Sequence, residues 1–188
     1  MDHSEHWLVR GRRTVFVGGP VREVAIENVV LPDGSETEYY QVVLGDFALV
    51  YATTEERAVI VLRQYKHGPR RICLTFPGGA VNGDESPLAA AQRELLEETG
   101  FTSNRWMALG SFVTNANQGC NTAHLFRADG CRRVSAPTSP DIEGGEMLLM
   151  AETGLLQPDR LVQFGLASHA ALLAIATHPA LGAAARLY

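Results

Sequence analysis

The sequence has almost no lysine: among its 16 basic residues Lys66 stands alone, and arginine supplies the rest. Arginine suits forked contacts to phosphate, but the same bias follows from a genome rich in G and C, so on its own it assigns no site. Cysteine is also scarce. Cys73, Cys120 and Cys131 stand far apart with no CxxC pair, which excludes a disulfide framework and a structural zinc site and predicts reduced thiols. The 6 histidines are scattered, with no HExxH. No positive excess exists either: the net charge of −5 speaks against a nucleic-acid or acidic-membrane partner. The longest apolar stretch, near residues 170–176, is too short to span a bilayer. Asp2, Glu5, Arg10, Arg12 and Arg13 make the first 20 residues too charged for a secretory signal, so the expected compartment is the cytoplasm.

What is present is the balance of a globular protein, with 46% apolar and 20% charged residues in 188. That length predicts one domain, or one domain with a small appendage, able to bury a core without staples. Residues 1–45 are rich in β-branched residues and turn signals, with strands predicted at 14–17, 21–30 and 39–44 and a Pro32-Asp33-Gly34 turn. They read as a small N-terminal β-subdomain, ahead of a main domain over 46–188. In the main domain the apolar run 58–62 predicts a buried strand. A turn at Gly68-Pro69-Arg70-Arg71 leads to a second strand, 72–76, which runs into Pro77-Gly78-Gly79. Further strands are predicted at 106–113, 122–127 and 146–151, with an acidic loop over 137–145. A short helix over 158–164 and a last helix capped by Ser168 would follow. Strands and helices in this order predict a sheet covered by helices on both faces.

Residues 86–99 are the clearest helix. Ser86 is a good N-cap, Pro87 fits the first helical position, and Gly100 provides a left-handed stop. On it Glu94, Glu97 and Glu98 stand at i, i+3 and i+4, which places three carboxylates on one face. Each such like-charged pair costs roughly 0.2–0.5 kcal/mol. They also sit near the helix C-terminus, where the macrodipole disfavours anions. A hard cation would reverse both penalties while leaving coordination sites for substrate phosphates. The opposite face, with Leu88, Ala91, Leu95 and Thr99, can dock on a sheet. Arg93 lies one turn before Glu97 and can hold it. Upstream, Pro77-Gly78-Gly79 allows a sharp turn and a close approach of bare backbone.

Acidic runs on helices are usually solvated faces. Here, however, Gly79, Glu85, Arg93, Glu94, Glu97, Glu98 and Gly100 all fall at fixed spacings, a coincidence on the order of one in a million at ordinary residue frequencies. The run GAVNGDESPLAAAQRELLEETGF over 79–101 resembles the complete Nudix signature, matching at every defining position. The resemblance implies an α+β fold, the Nudix α/β/α sandwich with a mixed β-sheet, and hydrolysis of a diphosphate bond. It implies Mg²⁺, with Mn²⁺ as an alternative, bound by Glu94, Glu97, Glu98 and the Gly78 carbonyl, with Arg93, Glu85 and Gly79 in support. The run VLRQYKH over 61–67 is similar to the subfamily that hydrolyses ADP-ribose and related nucleoside diphosphate sugars, as is the N-terminal β-segment, which in those proteins often exchanges across a homodimer. One departure stands at Asn117, where those enzymes usually carry proline.

Outside the box the candidates are less specific. Arg63, Gln64, Arg70 and Arg71 are candidate phosphate or ribose contacts, although arginines at strand ends are as often plain surface residues. Trp7, Tyr39 and Tyr40 can stack on a base or simply pack. The resemblance implies that the proton of the attacking water goes to a glutamate of a mobile loop, for which Glu143 and Glu146 beside Gly144-Gly145 are the candidates, or to Glu98 of the box.

Overall fold

A computed structural model describes residues 6–138, 145–179 and 186–187, and the chain forms two compact units. The first comprises Met1–Asp46 together with Val113–Thr122. In it β1 (Leu8–Gly18), β2 (Val21–Val30) and β3 (Glu36–Leu44) make an antiparallel sheet in the order β1-β2-β3. The turn between β2 and β3 is closed by Asp33, whose carboxylate accepts from the Ser35 amide at 2.9 Å and from its hydroxyl. Residues 113–122 join this unit through the backbone. The amides of Val42 and Leu44 donate to the carbonyls of Gln118 and Cys120, at 3.2 and 2.8 Å, covering the last residues of the outer edge of β3. The Asn115 side chain folds that segment by accepting from the amides of Asn117 and Gln118.

The second unit, Phe47–Phe112 with Ala123–Tyr188, is built on a mixed sheet. Its axis is β4 (Phe47–Thr54), which is buried along nearly its whole length. β4 runs antiparallel to β5 (Ala58–Lys66) and parallel to β10 (Thr122–Arg133). β6 (Arg71–Thr75) and β11 (Gly145–Ala151) lie on either side of β5, and the short β7 (Gly78–Ala80) pairs with the start of β4. β8 (Phe101–Thr102) pairs with β10, and beyond β10 come β9 (Arg105–Val113) and β12 (Arg186–Leu187).

Period-two alternation divides the buried residues between the faces of this sheet. Ala48, Val50, Ala52 and Ile60 pack with Ala90, Ala91 and Leu95 of α1 (Pro87–Thr99). Leu49, Tyr51, Val59 and Val61 pack on the other face, with Leu155, Phe164, Leu172 and Leu173. Those come from α2 (Glu152–Leu155), α4 (Ala167–Thr177) and the loop that follows α3 (Pro158–Leu161). Helices therefore cover both faces, and the layering is α/β/α. Two helix boundaries differ from the sequence reading. α4 begins two residues early, with Leu166 at the N-cap position and no side-chain cap, so Ser168 is already helical. α3 stops at Leu161 because Phe164 turns inward to stack on Phe76 at 4.9 Å.

Candidate active site

α1 carries its own boundary signals. The Ser86 hydroxyl accepts from the Ala89 amide at 3.1 Å, and Gly100, at φ 75°, donates its amide to the Leu96 carbonyl. Ala90, Ala91, Leu95 and Thr99 are buried, so Glu94, Glu97 and Glu98 are left on the partly open side. The loop before the helix is fixed at two places. β7 pairs with β4 in the register Leu49 with Gly78 and Ala48 with Gly79, and the Pro77 carbonyl accepts from the Val50 amide. A side chain at Gly78 would place its Cβ 2.1 Å from the Ala48 carbonyl oxygen. At Gly79 it would lie 2.4 Å from Glu94 Oε1. Glycine is needed at both positions for close approach.

Arg93 ties this loop to the helix. Its Nε and Nη2 fork onto the Glu85 carboxylate at 3.3 and 2.8 Å, and Nη2 also reaches the Ala80 carbonyl at 2.9 Å. Its Nη1 donates to Glu94 at 2.7 Å and to Glu97 at 3.1 Å. The pairing with Glu85, and then with Glu94 and Glu97, pushes the guanidinium pKa further up and fixes its charge. Arg93 in turn, followed by the Asn82 amide, holds the Glu85 carboxyl below the usual carboxylate range. Glu98 accepts from the Gly78 amide at 2.8 Å. The structure thus brings Gly78, Gly79, Glu85, Arg93, Glu94, Glu97 and Glu98 into one assembly. Among the described residues no three His, Cys, Asp or Glu side chains converge as a ready cage, since Arg93 spans Glu94 and Glu97.

The candidates outside the box are placed differently. Gln64 is buried and accepts the Thr75 hydroxyl at 2.9 Å. Arg71 lies against Gly165, where a Cβ would meet its Nη2 at 2.3 Å, and Arg70 sits at the end of the β5–β6 turn with φ 53°. Arg63, Arg70 and Arg71 lie on β5, the β5–β6 turn and β6, not on α1 or the loop before it. Arg63 instead stands directly opposite Glu146 in the β5–β11 ladder. In the same ladder Leu62 opposes Met147, which packs on the α1 face, so alternation turns Arg63 and Glu146 to the other face. Glu143 lies outside the described residues.

Three supports were not legible in the sequence: the Ala80 carbonyl, the Asn82 amide and His169. His169, buried in α4, accepts from the Phe76 amide through Nδ1 at 2.9 Å, one residue before Pro77. Burial, then the charge of Lys66, holds its pKa down at about 3, so the ring is neutral and acts as acceptor.

Comparison with known proteins gives the family. The family model described as the NUDIX domain matches residues 44–162. The chain belongs to the Nudix family. An ADP-ribose pyrophosphatase of Bacillus subtilis is 30% identical over 111 residues, 59% of this chain and 60% of that protein. A CMP-5'-(N-acetyl-N-hydroxy-3-aminopropyl)phosphonate hydrolase of Streptomyces rubellomurinus is 29% identical over 132 residues, 70% of this chain and 64% of that protein. The Nudix chain thus spans less than two thirds of the length of these relatives. A crystal structure of an ADP compounds hydrolase superposes with TM-score 0.75 at 20% identity, covering 89% of this chain and 90% of that one, which shows a shared fold.

Proposed function

We propose that this Nudix protein hydrolyses the diphosphate bond of a nucleoside diphosphate sugar such as ADP-ribose, using Mg²⁺ or Mn²⁺. The observation that carries the reading is the grouping of Glu94, Glu97 and Glu98 beside the Gly78-Gly79 backbone. The donor set fits a hard divalent cation: carboxylates with a nearby carbonyl, and at Gly79 a space into which the Glu94 carboxylate projects. Glu94, Glu97, Glu98 and the Gly78 carbonyl would hold it. When bound, such an ion lowers the pKa of a water and neutralises charge on the leaving phosphate.

The chain's own residues do the rest. Arg93 fixes the helix acids and Glu85 fixes Arg93, so the acidic face is positioned before substrate arrives. Glu98, which accepts from the Gly78 amide, is our candidate to take the proton of the attacking water, with Glu143 and Glu146 as the rival bases. Arg63, Arg70 and Arg71 remain the candidate cationic contacts for substrate oxygens, while Gln64 serves by holding Thr75. The same reading includes a cytosolic homodimer assembled through the N-terminal sheet.

A second reading, a Nudix hydrolase of another nucleotide class, is favoured by Asn117 and by the similarity to a cytidine-nucleotide phosphonate hydrolase. A non-catalytic sensing module is disfavoured because every box glutamate is present. The test is a metal-supplemented screen over ADP-ribose, ADP-glucose, GDP-mannose, NADH and dNTPs. We expect the highest kcat/KM on an ADP-sugar and no activity in EDTA. Highest kcat/KM on another nucleotide supports the second reading, and full activity in EDTA sinks both.

A further inference from the structure

The second unit contains a cavity that the proposed chemistry does not use. It has a volume of about 600 Å³, within the range of small-ligand sites, and is walled by Thr53, Arg57, Arg105, Arg127, Asp129 and Glu152 among others. It lies at the carboxyl end of β4, beside the irregularity between Ala128 and Cys131 that interrupts the parallel pairing of β4 with β10, and the carboxyl ends of parallel strands are where α/β sheets commonly bind ligands. Gly78 pairs with Leu49, four residues before Thr53, so the cavity is roughly 13 Å further along β4 than the Nudix loop. Thr53 alternates with Leu49 and Tyr51, which packs with α4, so the cavity also opens on the sheet face opposite α1.

The polar groups of the cavity are only partly satisfied by one another. Asp129 takes Arg127 Nε on both oxygens, at 2.9 and 3.1 Å, and accepts the Thr53 hydroxyl at 2.9 Å. Arg127 Nη1 donates to the Ala176 carbonyl, and Glu152 accepts the buried Tyr51 hydroxyl at 2.6 Å. That leaves two guanidiniums and the Glu55 carboxylate. Among the described residues Arg105 makes one side-chain bond, from Nε to the Asp129 carbonyl, and the guanidinium of Arg57 makes none. Both are held by special backbone. Gly130, at φ 61°, leaves the space in which Arg105 lies, since a Cβ there would fall 2.1 Å from its Nη2. Arg57 itself is at φ 65°, a left-handed position that a glycine would occupy with less strain. Strain of this kind concentrates where a side chain is used.

We infer that this cavity is a second binding site, for the phosphate group of a small phosphate ester, with Arg57 and Arg105 as its forked donors. Glu152 and Thr53 face the remainder of the ligand and favour one bearing hydroxyl groups. Arg127, spent on Asp129 and stacked 5.7 Å over the Tyr51 ring, positions the wall rather than binding the anion.

The test is calorimetric titration of the full chain, in EDTA, with inorganic phosphate, ribose 5-phosphate and ribose. Three variants are compared with the parent. Arg57→Gly removes a guanidinium while relaxing the backbone, so folding is preserved. Gly130→Ala displaces Arg105. Glu97→Gln alters only the Nudix acids. The expected result is saturable binding of ribose 5-phosphate, tighter than phosphate, with ribose not binding. Kd should rise at least tenfold in Arg57→Gly and in Gly130→Ala, and stay within twofold in Glu97→Gln. No saturation by ribose 5-phosphate up to about 10 mM, or equal affinity in Arg57→Gly and the parent, overturns the inference. Because the readout is binding without metal, the outcome is independent of whether the substrate assignment holds.

Discussion

At the scale of single residues, the site depends on what is missing from Gly79 as much as on what Glu94 supplies. A methyl group at 79 falls 2.4 Å from Glu94 Oε1 and 2.6 Å from its Cδ, so the carboxylate must move. Gly79→Ala should therefore fold normally yet need at least about tenfold more Mg²⁺ for half-maximal activity, read from a metal titration of the initial rate. Unchanged metal dependence would show that Glu94 is not where the cation is held. His169 offers a second residue-scale outcome. Its folded pKa, about 3, lies below the ordinary 6.5, so between those values the unfolded chain takes up a proton that the folded chain refuses. Its contribution to stability is complete above about pH 6.5 and is lost progressively as the pH falls towards 3. The loss reaches roughly 2–3 kcal/mol by about pH 4.5. By NMR the His169 ring should not titrate above about pH 4, and His169→Asn should flatten the fall of Tm between pH 7 and 4.5. A ring that titrates near 6.5 would refute the burial account. Neither Ala80 nor His169 announced itself in the sequence: a backbone carbonyl carries no residue-type signal, and a lone histidine in an apolar helix shows no partner 93 positions away.

At the scale of elements, legibility followed locality. α1 could be read because its start, face and stop all lie within the signature, from Ser86 through Glu94 to Gly100. β4 could not be read in the same way. Its uninterrupted apolar run marks burial, but its pairing with Gly78 and Gly79 joins positions some thirty residues apart, and only the fold supplies that register. The same applies to β11, where register decides the facing of Glu146. Because Glu146 opposes Arg63 on the face away from α1, Glu146→Gln should keep kcat within a few-fold at saturating Mg²⁺ and substrate. Glu98→Gln, which removes the anion held by the Gly78 amide, should lower kcat by about a hundredfold or more. If Glu146→Gln proved the more damaging, β11 would have to turn its first residues towards α1 during turnover. If Glu98→Gln and Glu146→Gln both retained kcat, Glu143 would be the remaining candidate base.

At the scale of the whole molecule, the first unit is short of cover for its own sheet. Ala25 and Val29 are its buried hydrophobic residues among those described, whereas Trp7, Leu8, Val9, Val15, Phe16, Val17 and Tyr40 are each at least 44% exposed. That is a large apolar surface for a three-stranded sheet whose outer strand β1 pairs on one side only among the described residues. The Val42–Leu44 end of β3 is met by Gln118 and Cys120, whereas β1 has its outer edge unpaired along its length among the described residues. A second copy of the chain would cover such a surface with matching chemistry, because a two-fold operator sets the same apolar patch against itself. Arg12 bears on the choice: it is already paired with Glu23 and Glu27 of its own sheet, so burying that region does not strand a charge. The expected state is a homodimer at micromolar concentration in sedimentation velocity. Replacing Phe16 and Val17 together by glutamate sets four like charges at a two-fold contact and should give monomers, with the N-terminal sheet still formed by circular dichroism. If the dimer contributes to the site, the monomeric variant loses kcat/KM on the nucleotide sugar while its metal dependence stays the same. A parent protein that sediments as a monomer with full activity would refute the assembly and leave the exposed sheet to a different partner.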